Sequence, residues 1–378
     1  MKRIFIFIIS LTFVIAAFGK SKSRQQAVTP FDDISYNIDS YGKDPGASPE
    51  EIGKRLEALG ADIDLRYNPE VQTYIDRYLK TGRKQLVSLI VRASYYLPIF
   101  EEAIHAAGLP EELKYLPFIE SKLNPKATSP MGAAGLWQFM PIAARGYDMK
   151  IGGGIDERRD PYLSSQRACE LLKDLYLKFG DWGIALAAYN CGAGNVRKAL
   201  KRAGGDVRKH DFWSIRSYLP AETRKYVPHF IAMVYVMNYY EEHDMPTVYI
   251  DQDMSTEAIQ FFDKQNLRKL AAEFNVTVDE LKAWNPQFTS EVVPATANRP
   301  CNVIVPSATA ETYKIKTGNF VAIQREPARG NDNLVTSHDK EKKQGNKALL
   351  SNERYENIAS YSMPNTSVRR PRLGKERD

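Results

Sequence analysis

Between residues 68 and 242 apolar positions recur at helical spacing, and almost nothing alternates as a strand does. Val71, Ile75 and Leu79 stand at i, i+4 and i+8 and mark one helix face. A second helix is predicted over 85–107, ended by Gly108 with Pro110 two residues on. Pro110-Glu111-Glu112 opens the next, with acids in the first turn, where the helix dipole favours them. That helix carries Leu113, Leu116, Ile119 and Glu120 and ends near Asn124-Pro125. A Gly- and Ser-punctuated stretch then leads into Leu136-Trp137-Gln138-Phe139-Met140, and Gly152-Gly153-Gly154 reads as a flexible loop. Further helices are predicted from Asp160-Pro161 to 179, over 182–190, over 195–203 and over 221–242.

The pattern changes near residue 245. Residues 247–251 and 302–306 read as short strands, and 267–274 and 278–284 as short helices. This is a small α/β module over 246–306. Residues 20–64 are polar and rich in Gly, Pro and Ser, which predicts a linker or N-terminal arm; residues 307–378 are polar and basic, which predicts a disordered tail. Met1-Lys2-Arg3 precedes an apolar run over 4–19 that is shorter than the roughly 20 residues needed to span a bilayer. Residues 1–19 therefore look like a signal peptide, and the expected location is outside the cytoplasm, in the periplasm or cell envelope. The expected fold class is mainly α, with a helical domain over 65–245 followed by the small module.

Charge narrows the partners. The net charge is +6, but residues 1–24 and 306–378 each contribute about +5, which leaves about −4 on residues 25–305. A folded domain without a basic excess does not predict nucleic-acid binding. The basic tail points instead to weak membrane or cell-wall association, or simply to a solvated segment. Cys169, Cys191 and Cys301 are odd in number and lack metal-ligand spacing, so no metal site is expected. Buried free thiols are favoured over a Cys169–Cys191 disulfide.

Glu120 lies beside Phe118 and Ile119 on a largely apolar helix. A carboxyl in apolar surroundings ionises reluctantly, and one tuned to about 6–7 can serve as both acid and base. Taken alone, the segment fits an ordinary helix glutamate at least as well. The neighbourhood of Gln138 combines small residues with the apolar side chains of Trp137, Phe139 and Met140, which suits a wall for a sugar, and the Gln138 amide both donates and accepts. Tyr189 and Asn190 end a helix at the break Cys191-Gly192-Ala193-Gly194 and can point into a cleft. Asp156, Glu157 and Asp160 are better read as helix-start or salt-bridge residues than as a second catalytic acid.

Taken in order, Phe118-Ile119-Glu120-Ser121, Gly135-Leu136-Trp137-Gln138, Ala188-Tyr189-Asn190 and then Glu222-Thr223 with Tyr226 resemble the soluble-lytic-transglycosylase domain of glycoside hydrolase family 23. Trp137 and the run Asp156-Glu157-Arg158-Arg159-Asp160-Pro161 are similar to the membrane-bound lytic murein transglycosylase D group. The resemblance spans about residues 65–245 and implies a lysozyme-like helical domain. It implies that Glu120 is the catalytic acid and base, that Ser121 orients its carboxylate or a substrate N-acetyl group, and that Gln138, Tyr189, Asn190 and Tyr226 bind substrate, the Tyr226 hydroxyl being able to hydrogen-bond near the acid. It also implies cleavage of peptidoglycan glycan strands between N-acetylmuramic acid and N-acetylglucosamine, ending in a 1,6-anhydro ring, with no metal or cofactor. A goose-type-lysozyme-like hydrolase and a non-catalytic wall-binding protein are the alternatives. Residues 267–286 resemble the helical middle of a LysM domain, a peptidoglycan-binding fold, and 303–306 its last strand. Its usual opening is replaced by Ala258-Ile259-Gln260-Phe261-Phe262, which leaves a glycan-binding module and a diverged structural appendage both open.

Overall fold

A computed structural model describes residues 44–245 and 255–317 of the chain. The first part is almost wholly helical. It runs α1 (Pro49–Ala58), α2 (Pro69–Asp76), a π-helical turn (Arg77–Thr81), α3 (Arg83–Ala107), a 3-10 turn (Glu111–Tyr115), α4 (Leu116–Glu120) and α5 (Pro141–Gly146). A two-residue hairpin, β1 (Ile151–Gly152) and β2 (Ile155–Asp156), precedes α6 (Pro161–Phe179), α7 (Trp182–Cys191), α8 (Ala193–Ala203), α9 (Phe212–Ile215) and α10 (Thr223–Tyr239). Local chemistry sets several of these ends. Asp160 accepts from the Tyr162 and Leu163 backbone N–H groups while Pro161 fills the first position of α6.

The core is built round α10. Every side chain from 230 to 236 is fully buried, so the helix has no water-facing stripe and must be enclosed on all sides. Helices α1, α2, α4 and α7 surround it. Because α4 rests on this helix, the one surface glutamate at its end is brought against α10.

The second part is a compact α/β unit. Strand β3 (Thr256–Phe261) pairs antiparallel with β6 (Cys301–Pro306), from Thr256 opposite Pro306 to Phe261 opposite Cys301. Between them lie β4 (Gln265–Asn266), α11 (Leu267–Phe274), α12 (Val278–Trp284) and β5 (Val292–Val293). Helix α12 opens with a capping box, Thr277 and Glu280 each satisfying the other's backbone N–H. Helix α13 (Ser307–Thr317) closes the unit, its Tyr313 ring set edge-on to Phe274.

Several expectations need correction. The polar arm over 20–64 contains α1, and Ile63 and Leu65 beyond it are also buried. Helix α1 is mostly charged, and only Ile52 and Leu56, one turn apart, carry its apolar face. Its place is secured from far along the chain: Arg55 Nη1 donates to Tyr235 Oη at 2.9 Å and Tyr239 Oη to Arg55 O at 2.8 Å. Residues 307–317 are not a loose tail but α13, whose Lys314 is bonded to Glu257 on β3. The Gly152-Gly153-Gly154 loop is the turn of a hairpin seated on the α/β unit, because Gly154 O accepts from Thr289 N at 2.9 Å. The three thiols are free. Residues 1–43, the strand expected over 247–251 and residues 318–378 lie outside the described residues. Among the described residues no helix is long and apolar enough to cross a membrane.

If α1 is part of the core rather than an arm, Leu56→Ala should lower unfolding stability by about 2–4 kcal/mol in urea titration. A change within about 0.5 kcal/mol, the range of an exposed site, would contradict this placement.

Candidate active site

Glu120 is the last residue of α4, a single turn whose Leu116, Pro117 and Phe118 are buried. The chain then reverses sharply. Lys122 and Leu123 both adopt left-handed backbone conformations, with φ of 54° and 56°. For non-glycine residues this costs about 1–2 kcal/mol each. Complete burial of the Leu123 side chain offsets part of it, and Arg92 Nη1 holds the Lys122 carbonyl at 3.1 Å. Strain of this kind gathers where a structure holds a functional group in place.

The Glu120 carboxyl accepts a short hydrogen bond from Tyr226 Oη on the first turns of α10. Desolvation by the surrounding protein pushes its pKa up to about 7. The Tyr226 bond pulls it down, and the charge of Glu222 adds a further push upward. Glu120 as a residue nevertheless keeps some exposure. Glu222 is exposed, and no other acid contributes to the shift. The Tyr226 phenol is raised well above its usual range, first by burial and then by the charge of Glu120, so it stays protonated and donates.

Of the other candidate residues, Tyr189 and Asn190 lie at the end of α7, which packs against α10, and Gln138 lies on the glycine-rich loop. Tyr189 Oη donates to Trp137 O at 2.6 Å, tying α7 to the glycine-rich loop. Its phenol is raised first by burial and next by the charge of Glu120, which places it in the same electrostatic site. Asn190 Oδ1 accepts from Thr223 Oγ1 at 2.8 Å, which ties the end of α7 to the start of α10. Gln138 sits at φ 50° and donates from Nε2 to Gly135 O at 2.8 Å; among the described residues its Oε1 has no protein donor. Ser121 stands apart from the role expected of it. Its buried hydroxyl donates to Pro117 O at 3.0 Å and so closes the end of α4, with no bond to the Glu120 carboxylate.

The apolar wall expected of Trp137 and Phe139 is also corrected. Both are buried, and Trp137 Nε1 donates to Ser165 Oγ at 2.9 Å. These side chains anchor the loop from below, and the loop backbone with Gln138 and Met140 remains nearer the surface. Gly135 shows why the loop is glycine-rich. Its φ is 84°, and a Cβ there would lie 1.8 Å from Arg158 O, a distance no rearrangement of a side chain could relieve. Asp160 is a helix cap and Asp156 an ion-pair partner of Arg158, as the sequence suggested. Arg158 itself was not singled out. Its guanidinium is buried and donates to Gly132 O and Phe139 O, at the two ends of the loop that carries Gln138. The only sequence signal was a basic residue beside an acid in a run that otherwise reads as a helix start.

Known proteins place this arrangement. Residues 98–212 match the family described as the Transglycosylase SLT domain, and residues 255–319 the one described as the LysM-like domain of lytic transglycosylase MltD. Over 286 residues the chain is 29% identical to membrane-bound lytic murein transglycosylase D of Escherichia coli K12, covering 74% of this chain and 62% of that protein. It is 35% identical over 118 residues to the soluble lytic murein transglycosylase of Salmonella typhimurium, covering 30% of this chain and 18% of that one. The solved 70 kDa soluble lytic transglycosylase SLT70 of Escherichia coli aligns with 39% of this chain and 24% of its own at 29% identity, with a TM-score of 0.33. The chain thus spans about three-fifths of the transglycosylase D it matches. It carries a transglycosylase SLT domain over residues 98–212 and, over residues 255–319, the LysM-like domain of lytic transglycosylase D.

Proposed function

We propose that the chain is a peptidoglycan lytic transglycosylase of the cell envelope, cutting glycan strands between N-acetylmuramic acid and N-acetylglucosamine. The observation that carries this reading is a single carboxyl, Glu120, poised near 7 with a tyrosine donor and, among the described residues, no other acid acting on it than the exposed Glu222. Most glycosidases divide the work between two carboxylates about 5–9.5 Å apart. One group at neutral pKa can instead serve twice, because both of its protonation states are accessible at working pH.

In the first step Glu120, protonated, gives its proton to the glycosidic oxygen as the C1–O bond of the muramyl sugar breaks. The N-acetyl group of that sugar assists departure by sharing the positive charge at C1. Glu120, now ionised, takes the proton of the same sugar's C6 hydroxyl, whose oxygen bonds to C1 and closes the 1,6-anhydro ring. No water is consumed, and the carboxyl ends as it began. The internal hydroxyl outcompetes water because it is already oriented, an advantage that reaches about 10⁵ M or more in effective concentration. Tyr226 steadies the ionised form between the two steps. Gln138, Tyr189 and Asn190 supply the cleft's polar contacts to the sugars, with Ser121 shaping the end of α4. The domains named for murein enzymes in the matched relatives support peptidoglycan as the substrate and the envelope as the location.

Three outcomes test this reading. Digestion of purified sacculi should release muropeptides one water lighter than hydrolysis products, and Glu120→Gln should abolish their release; reducing ends alone would instead indicate a hydrolase, and an inactive wild type a wall-binding protein. Tyr226→Phe removes an interaction that lowers the Glu120 pKa, so the alkaline limb of the pH–rate profile should move upward while kcat falls about tenfold. An unmoved limb would separate Tyr226 from the titration. The third outcome concerns stability. The ordinary carboxyl value is 4.5 and Glu120 lies near 7, so the unfolded chain loses its proton first. Stability therefore falls as pH rises through this window, and the penalty is complete above 7. Glu120→Gln should be about 2–3 kcal/mol more stable than wild type at pH 8 and nearly equal to it at pH 4, by urea titration. Equal stability at both pH values would mean the carboxyl is not desolvated.

A further inference from the structure

The loop that carries Gln138 is not self-sufficient. It closes through paired bonds between Ala134 and Phe139, at 3.0 and 3.1 Å, and it holds Gln138 in a left-handed conformation that a non-glycine residue avoids. What keeps it in shape is Arg158. This side chain donates from Nη1 to Gly132 O at 2.6 Å and to Phe139 O at 3.0 Å. From Nε and Nη2 it makes a two-pronged bond to the Asp156 carboxylate, at 2.9 and 2.8 Å. Both side chains are buried, so the cation depends on its acid; a buried charge whose partner is withdrawn loses its place.

Asp156 is in turn placed by the LysM-like module. Its backbone N–H donates to Gln287 O at 2.8 Å, and Thr289 N donates to Gly154 O at 2.9 Å, so the β1–β2 hairpin forms an extra edge of that module. Ile155 bridges Phe288 and is buried in the module's own apolar core. The fit is tight, since a Cβ on Gly154 would lie 2.8 Å from Ser290 Oγ. Beside it, Arg299 Nη2 donates to Glu157 Oε2 at 2.7 Å. A continuous path therefore runs from the module through the hairpin and the ion pair to the loop.

We propose that Arg158 is a positioning residue through which the docked LysM-like module holds the Gln138 loop in its working shape. The module then acts on the site as a brace, whatever glycan it binds. The activity arm of the test rests on the function proposed above; the structural arm does not.

The test uses the full chain and measures amide hydrogen exchange over residues 134–139 together with KM and kcat on soluble glycan strands. Phe288→Ser attacks the docking edge from inside the module. Arg299→Ala weakens the same edge from the surface and covers the case in which Phe288→Ser unfolds the module. Arg158→Lys keeps the charge but removes the fork. All three should speed exchange in the loop, by about tenfold for Arg158→Lys and Phe288→Ser, while exchange in α10 stays at the wild-type rate. KM should rise about three- to tenfold, and the pH midpoint set by Glu120 should not move. Phe288→Ser combined with Arg158→Lys should add little to either alone, because both act through one path. Thr256→Val removes the module's 2.7 Å contact with Tyr162 but does not touch the hairpin, and it should leave the loop unchanged. Wild-type exchange in the loop of Phe288→Ser and Arg299→Ala would overturn the coupling. If no glycan cleavage is found in the wild type, the exchange rates still decide it.

Discussion

A carboxyl kept out of water at neutral pH is an expensive feature, and much of the helical domain is organised to hold one. Glu120 stays near 7 because protein surrounds it and because, among the described residues, Tyr226 is the one donor that reaches it. A second strong donor or a nearby cation would drop it toward ordinary carboxylate behaviour and remove its ability to give up a proton near neutrality. The environment must therefore be apolar and nearly complete around the carboxyl. The residue ends a one-turn helix rather than lying within a long one. The chain then leaves in two left-handed residues, Lys122 and Leu123.

The rest of the domain supplies rigidity. Helix α10 is buried all round over residues 230–236 and presents Tyr226 from its first turns. Helix α7, nearly as buried, presents Tyr189 and Asn190 where it breaks at Gly192. Each of these polar groups is already committed to a protein partner: Tyr189 to Trp137 O and Asn190 to Thr223. Their orientation is thus settled before any ligand arrives, which spares the entropy of ordering them on binding.

The glycine-rich loop is held by a side chain from outside it. Arg158 spans it beneath, Asp156 neutralises Arg158, and the C-terminal module grips the hairpin that carries Asp156. The contacts of the LysM-like module with the helical domain combine main-chain bonds, buried apolar surface and side-chain bonds such as Arg299 to Glu157, suited to a fixed joint rather than a tethered accessory.

Much of this was legible in the chain itself. Helical periodicity, the Asp160-Pro161 start and the Gly108 stop located α3, α6, α7, α8 and α10 to within a few residues, because these signals act between near neighbours. The two short helices of the module were equally local and equally clear. Helices α1 and α13 escaped notice: each is largely polar, and its few buried contacts are made with residues far along the chain. The same limit applies at the site. The sequence supplied a glutamate next to apolar residues and a set of ordered motifs around it. Through the family resemblance it set the Tyr226 hydroxyl near the acid, where the structure has it bonded to Glu120, but it could not say that Ser121 would turn back on its own helix. Nor could it single out Arg158, whose meaning lies in two carbonyls about twenty residues away and in a module beyond them. Local spacing determines which stretches coil and where they stop. Desolvation, the exclusivity of one hydrogen bond and the bracing of a loop are properties of surroundings assembled from distant segments, and only the tertiary structure decides them.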